Sequence, residues 1–283
     1  MKRPGLLLAL LLALPIGGAA PAAAPAAASA FAPTRFSVEV VGSGPDVILI
    51  PGLTASRNVW RGTVAAVPGY RYHLVQVAGF AGEPARGNAR GEVVAPLAEE
   101  IARYIAARRL DHPALVGHSM GGTVAMMIAA RHPERVGKAM VVDMLPQPAG
   151  LLGGSASGMR GLAGLLRGLG GSEGGRGLID SAIRMFGNDS AENSRSDPDV
   201  VARATEELAV ADLTPELARI SAPLTVVYAA PDAARAPAIA RTYAAAYSAR
   251  KGVRLVRVDE SGHMIMYDQP ARFRSALRTF LAG

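Results

Sequence analysis

The sequence predicts an α/β fold: a mostly parallel sheet flanked by helices, with a cap or lid segment inserted at the carboxyl edge of the sheet. Three observations carry this. Short apolar runs alternate with helical stretches along most of the chain. Several runs, such as Val47-Ile48-Leu49-Ile50, are apolar throughout, as strands covered on both faces are. One segment, 146–214, breaks the rhythm, opening with Pro and Gly and passing through Gly153-Gly154 and Gly170-Gly171.

The elements follow in order. Phe36 to Val40 alternates like a half-buried strand, and Gly42-Ser43-Gly44-Pro45 turns the chain into the run Val47 to Ile50, which Pro51-Gly52 ends. His73 to Val77 is the next strand. Glu92 to Arg109 has helical periodicity, with Val93, Leu97, Ile101 and Ile105 at spacings of four. Ala114 to Val116 is a short buried strand, and Gly121 to Arg131 an apolar helix stopped by His132-Pro133. Val136 to Val142, Pro223 to Tyr228 and Val253 to Val258 are strands; Asp199 to Ala211, Pro237 to Ser248 and Phe273 to Leu281 are helices. The reading gives a core of residues 35–145 and 215–283 and an insertion of 146–214. The insertion is read as a lid where ligands bind in open α/β sheets. A long surface excursion is the other reading.

Composition bounds the rest. The 283 residues, 50% hydrophobic and 19% charged, suffice for one large domain or at most two small ones and exclude disorder throughout. The absence of cysteine excludes a disulfide scaffold, Cys-type zinc sites and iron–sulfur clusters. The net charge is +7, but Lys2 and Arg3 hold two of these charges. The other basic residues are scattered, with no dense run interleaved with aromatics, so nucleic-acid binding is not expected. No His/Asp/Glu cluster has ligand spacing, so no metal is implied. The sequence carries no signal for an oligomeric state.

Residues 1–30 have the parts of a secretory signal. Lys2 and Arg3 precede an apolar stretch from Leu6 to about Ile16, then small residues to Ala30. Ala28-Ser29-Ala30 fits a cleavage site, as does an earlier cut between Ala19 and Ala24. An uncleaved anchor is the alternative, opposed by Pro15, Pro21 and Pro25. The expectation is export to the periplasm or medium, with no stable membrane insertion after signal removal.

Gly117-His118-Ser119-Met120-Gly121 matches G-x-S-x-G, and so does Gly170-Gly171-Ser172-Glu173-Gly174. Context separates them. Only Ser119 lies between a strand and a helix, where a sharp turn exposes the hydroxyl. A serine needs a base. His73 lies in a strand, His112 and His132 precede prolines at element ends, and His118 should diverge from its neighbour Ser119. His263, in the loop Ser261-Gly262-His263 beyond the last strand, remains. The imidazole needs an acid. Asp232 and Asp143 both end strands; Asp232 is preferred because its strand adjoins that of His263 in sequence. Asp143 is the alternative acid. For the oxyanion, backbone N–H groups of Met120 and Leu53 are the candidates. Trp60 is expected to pack.

With these residues assembled, the chain resembles an α/β-hydrolase fold serine hydrolase of the lipase/esterase type, from about residue 36 to the C-terminus apart from the insertion. The likeness rests on Pro51-Gly52-Leu53, Gly117 to Gly122, Arg131 to Val136, Pro231-Asp232, and Ser261-Gly262-His263 through Gln269-Pro270. The family usually has His-Gly where this chain has Pro51-Gly52, and Gly with acidic residues where it has Tyr228-Ala229-Ala230-Pro231. The resemblance implies a cofactor-free enzyme cleaving a small-molecule ester through an acyl-enzyme. Ser rather than Asp at position 119 disfavours dehalogenase and epoxide-hydrolase chemistry. The same site could serve lactones, amides, carbon–carbon bonds or peracid formation, and a non-catalytic binding protein is the rival from another class.

Overall fold

The computed structural model describes residue 1, residues 31–151 and 191–283, and of the segment between them residues 157, 160, 161, 164, 165, 168 and 177. The signal reading of 1–30, the decoy Ser172 and most of the insertion lie outside the described residues.

The strands are Phe36–Gly42 (β1), Asp46–Ile50 (β2), Arg71–Val77 (β3), Ala114–His118 (β4), Lys138–Val142 (β5), Leu224–Ala230 (β6) and Arg254–Asp259 (β7). They form one sheet in the order β1-β3-β2-β4-β5-β6-β7. Only the edge strand β1 runs antiparallel, against β3. The other pairings are parallel, with His118 opposite Val142 and Ala230 opposite Asp259. The carboxyl ends of β4 to β7 therefore open on the same rim.

Strand order reverses between β2 and β4. The chain leaves β2 toward β3 on one side, and leaves β4 toward β5 on the other. Loops departing in opposite directions leave a crevice between them, the place where open parallel sheets bind ligands. Gly52 follows β2 and Ser119 follows β4, so both stand at this crevice.

Alternate strand residues feed two buried layers, as the period of two requires. Ile48, Ile50, Leu115 and Val141 join the helices Val94–Ala107 (α2) and Met120–Arg131 (α3) on one face. Val47, Leu49, Val116 and Val142 join Trp60, next to Arg61–Ala66 (α1), and Phe273 and Leu277 of the C-terminal helix on the other. Trp60 packs as expected, fully buried with its ring 6.2 Å from that of Phe273. α3 is buried over nearly its whole circumference, which explains its apolar sequence.

The described end of the insertion is tied to the core. Leu213 N donates to Pro146 O at 3.0 Å, so its two ends meet. The helix Pro198–Val210 (α4) starts on a Pro, with Asp197 accepting from the Asp199 and Val200 amides. Its Val200, Val201, Ala204 and Leu208 belong to the same buried cluster as α2 and α3. Its Glu207 carboxylate accepts from the Val93, Val94 and Ala95 amides, capping α2, which has no side-chain cap of its own. Ala236–Ala246 (α5) and Pro270–Ala282 (α6) complete the helices used below.

Candidate active site

Ser119 sits between β4 and α3 with φ +54° and ψ −124°, a conformation rare for a residue with a side chain. It is held there from both sides. Its own N–H donates to Val142 O at 2.9 Å, and its carbonyl accepts from Gly122 N at 2.7 Å. The tightness of the turn dictates the flanking glycines. A Cβ on Gly117 would stand 2.0 Å from Gly121 O, and one on Gly121 would stand 2.2 Å from Ile50 O. The hydroxyl thus lies at the N-terminus of α3, where aligned peptide dipoles favour negative charge.

His263 follows β7 and turns back over this rim. Its Nδ1 lies 2.8 Å from Asp143 Oδ2. Asp143 comes directly after β5 with φ +49°, and its N–H donates to Val227 O at 2.8 Å. The other carboxylate oxygen accepts from Ala229 N and from Tyr243 Oη, both at 2.9 Å. Three donors therefore surround a carboxylate whose side chain is only 7% exposed. Hydrogen bonds of this kind satisfy the acceptor capacity of a buried carboxylate. Burial and the adjacent Asp143 together hold the Tyr243 hydroxyl well above its ordinary range, so it donates.

Asp232, the acid preferred on sequence grounds, is elsewhere. Its Oδ1 accepts from Arg235 N at 2.8 Å and its Oδ2 from Arg235 Nε at 2.5 Å. It caps the turn that leads into α5. The Arg235 backbone amide and then its guanidinium hold the carboxyl below the usual range, and the side chain is 42% exposed. The structure corrects the expectation: His263 pairs with Asp143. Adjacency in sequence favoured Asp232, but β5 lies in the sheet between β4 and β6, so its end faces the returning His263 loop. The signal was available in Asp143 itself, which immediately follows the buried run Ala139 to Val142 and must find partners for its charge.

The two oxyanion candidates flank the crevice. Met120 is the first residue of α3, so its N–H belongs to the unpaired amides of a helix start. Leu53 occupies the turn closed by Ala55 N to Gly52 O at 3.2 Å, in which Thr54 has φ +62°. Gly52 permits close approach of this loop, since a Cβ there would lie 3.1 Å from both Ser119 Cβ and His118 Nδ1.

The other histidines are engaged structurally. His73 lies between Tyr104 Oη and Asp46 Oδ1, at 2.8 Å from each. His112 meets Asp111 and His132 meets Glu99. His118 does not simply diverge. Its Nε2 lies 3.0 Å from the carbonyl of His263, and the two rings are 4.6 Å apart. Spacing could not show this, because the contact depends on where the loop after β7 returns.

No metal-ligating cluster of three or more His, Cys, Asp or Glu occurs among the described residues. Residues 47–276 match the model of the alpha/beta hydrolase family.

The chain belongs to the alpha/beta hydrolase family.

Among curated members, it is similar to the pimeloyl-[acyl-carrier protein] methyl ester esterase of Aeromonas hydrophila, 39% identical over 112 residues. That match covers 39% of this chain and 42% of the relative, so the chain spans about two fifths of the length of the curated relatives it matches. Among solved structures, an esterase from Exiguobacterium antarcticum superposes with a TM-score of 0.73 at 21% identity, covering 88% of this chain and 96% of that one. An enol-lactonase from Burkholderia xenovorans gives 0.72 at 21% identity, covering 88% and 97%. These two share the hydrolase fold.

Proposed function

We propose that this alpha/beta hydrolase is a serine esterase acting on carboxylic esters of small molecules. The observation that carries the reading is the His263–Asp143 pair, a half-buried imidazole on a buried carboxylate, at the rim where Ser119 stands on its strained turn. His263 Nδ1–H donates to Asp143, which fixes the tautomer and leaves Nε2 to act on Ser119. Ser119 Oγ attacks the acyl carbon while its proton passes to Nε2. The Leu53 and Met120 amides hold the developing oxyanion. Collapse of the tetrahedral species expels the alcohol, which takes the proton from the imidazolium. Water then gives its proton to Nε2 and attacks the acyl carbon; collapse of the second tetrahedral species breaks the bond to Ser119 Oγ, which takes the proton back from the imidazolium as the acid leaves. Asp143 stabilises the imidazolium in both half-reactions. Similarity to a curated methyl ester esterase supports esters as the substrate class. The basic and apolar stretches of residues 2–16 support export.

The test is turnover of a panel of nitrophenyl and methyl esters of graded acyl length, with a lactone and an anilide beside them. Ester hydrolysis that Ser119→Ala abolishes is the expected result. Turnover confined to the lactone or anilide, or undiminished in Ser119→Ala, would refute it. Fractionation of the expressing cells, with N-terminal sequencing of the mature chain, tests export.

A further inference from the structure

We infer that His118 is a positioning residue that locks the backbone of the catalytic loop, holding His263 against Ser119 through a hydrogen bond from its ring to the His263 carbonyl. This rests on the reading of His263 as the base. His118 is the last residue of β4 and precedes Ser119 directly, so it is as rigidly placed as the sheet itself. Its side chain is buried, and its Nε2 lies 3.0 Å from His263 O. A carbonyl only accepts, so Nε2 carries the proton and Nδ1 carries none. Nδ1 has no hydrogen-bond partner among the described residues and lies beside Gly52, a Cβ on which would stand 3.1 Å from it. The titratable groups facing the ring are His263 and Asp143. Burial, then the neighbouring His263, pushes the His118 pKa down to about 3, which keeps the ring neutral while His263 cycles through its charged form. His263 is thus held by both its side chain and its main chain. Its side chain is fixed to β5 through Asp143, and its main chain to β4 through His118.

The experiment compares His118→Gln, which retains a donor near the Nε2 position, with His118→Phe, which retains a ring and loses the donor. Both are measured for kcat, KM, rate of labelling by a fluorophosphonate and thermal midpoint. The expected result for His118→Phe is a kcat and a labelling rate about ten- to a hundredfold lower, because the base is misplaced. KM stays within about threefold. His118→Gln should recover most of the loss. Equal kcat in His118→Phe and wild type, or equal loss in both variants, would overturn the inference. If His118→Phe does not fold, nitrogen NMR of the wild-type imidazoles decides. His118 should keep the Nε2–H form without titrating from about pH 5 to pH 9. A titration within that range, or the Nδ1–H form, would overturn it. Failure of the esterase reading shows separately, as an unlabelled Ser119 in the wild type.

Discussion

His263 Nδ1 lies 2.8 Å from Asp143 Oδ2, although 120 positions separate the two residues in the chain. The parallel register running from β5 through β6 to β7 makes this meeting possible, since it carries the ends of β5 and β7 to one rim. It also makes a sharp statement about which aspartate matters. Asp143→Asn removes the charge that stabilises the imidazolium and leaves an amide able to favour the wrong tautomer. A fall in kcat of about 10³- to 10⁴-fold is expected, with KM little changed. Asp232→Asn should leave kcat within about twofold, because Asp232 serves Arg235 and the start of α5. Steady-state kinetics on the two variants check both halves.

Tyr243 supports the site from α5. Its hydroxyl donates to Asp143 Oδ1 at 2.9 Å from a fully enclosed position. Tyr243→Phe removes that donor from a buried carboxylate, which keeps only Ala229 N on the same oxygen. Unfolding in urea should show a loss of about 1.5 to 3 kcal/mol. A several-fold fall in kcat should accompany it, since the carboxylate then holds His263 less firmly.

Stability should depend on pH through His118. In the unfolded chain its imidazole takes up a proton near pH 6.5, whereas in the folded protein it does so only near pH 3. Between these values the unfolded state binds more protons, so stability is complete above the upper one and falls as the solution is acidified. By pH 5 the loss from this group is about 2 kcal/mol. Burial lowers the pKa of His73 as well, despite its contact with Asp46, and acts in the same direction. Unfolding free energies of wild type and His118→Gln from about pH 7 to pH 5 should therefore diverge, the variant having the shallower slope. Parallel slopes would contradict this assignment.

Much of this arrangement is legible in the amino-acid order. The solid run Val47 to Ile50 announces a strand covered on both faces, and Ala114 to Val116 followed by Gly117-His118-Ser119 announces a strand-to-helix turn. Those signals are local, so they survive without coordinates. The acid is different. Choosing between Asp143 and Asp232 needs the lateral order of strands, and β5 enters the sheet between β4 and β6 although 81 residues separate Val142 from Leu224. His118 is hidden for a similar reason, because its partner is a carbonyl on a loop that returns from 145 positions away. Helix α4 combines the two cases. Its periodicity places it within one residue at each end, yet nothing in its sequence reveals that Glu207 caps α2.

The central claim is that Ser119 alone is made nucleophilic by this rim. Intact-mass measurement of the purified protein after treatment with a fluorophosphonate, followed by peptide mapping, tests it most directly. The account predicts one adduct per chain, carried by the peptide containing Ser119 and absent from Ser119→Ala and from His263→Ala. An adduct on another residue, or undiminished labelling of Ser119→Ala, would contradict it.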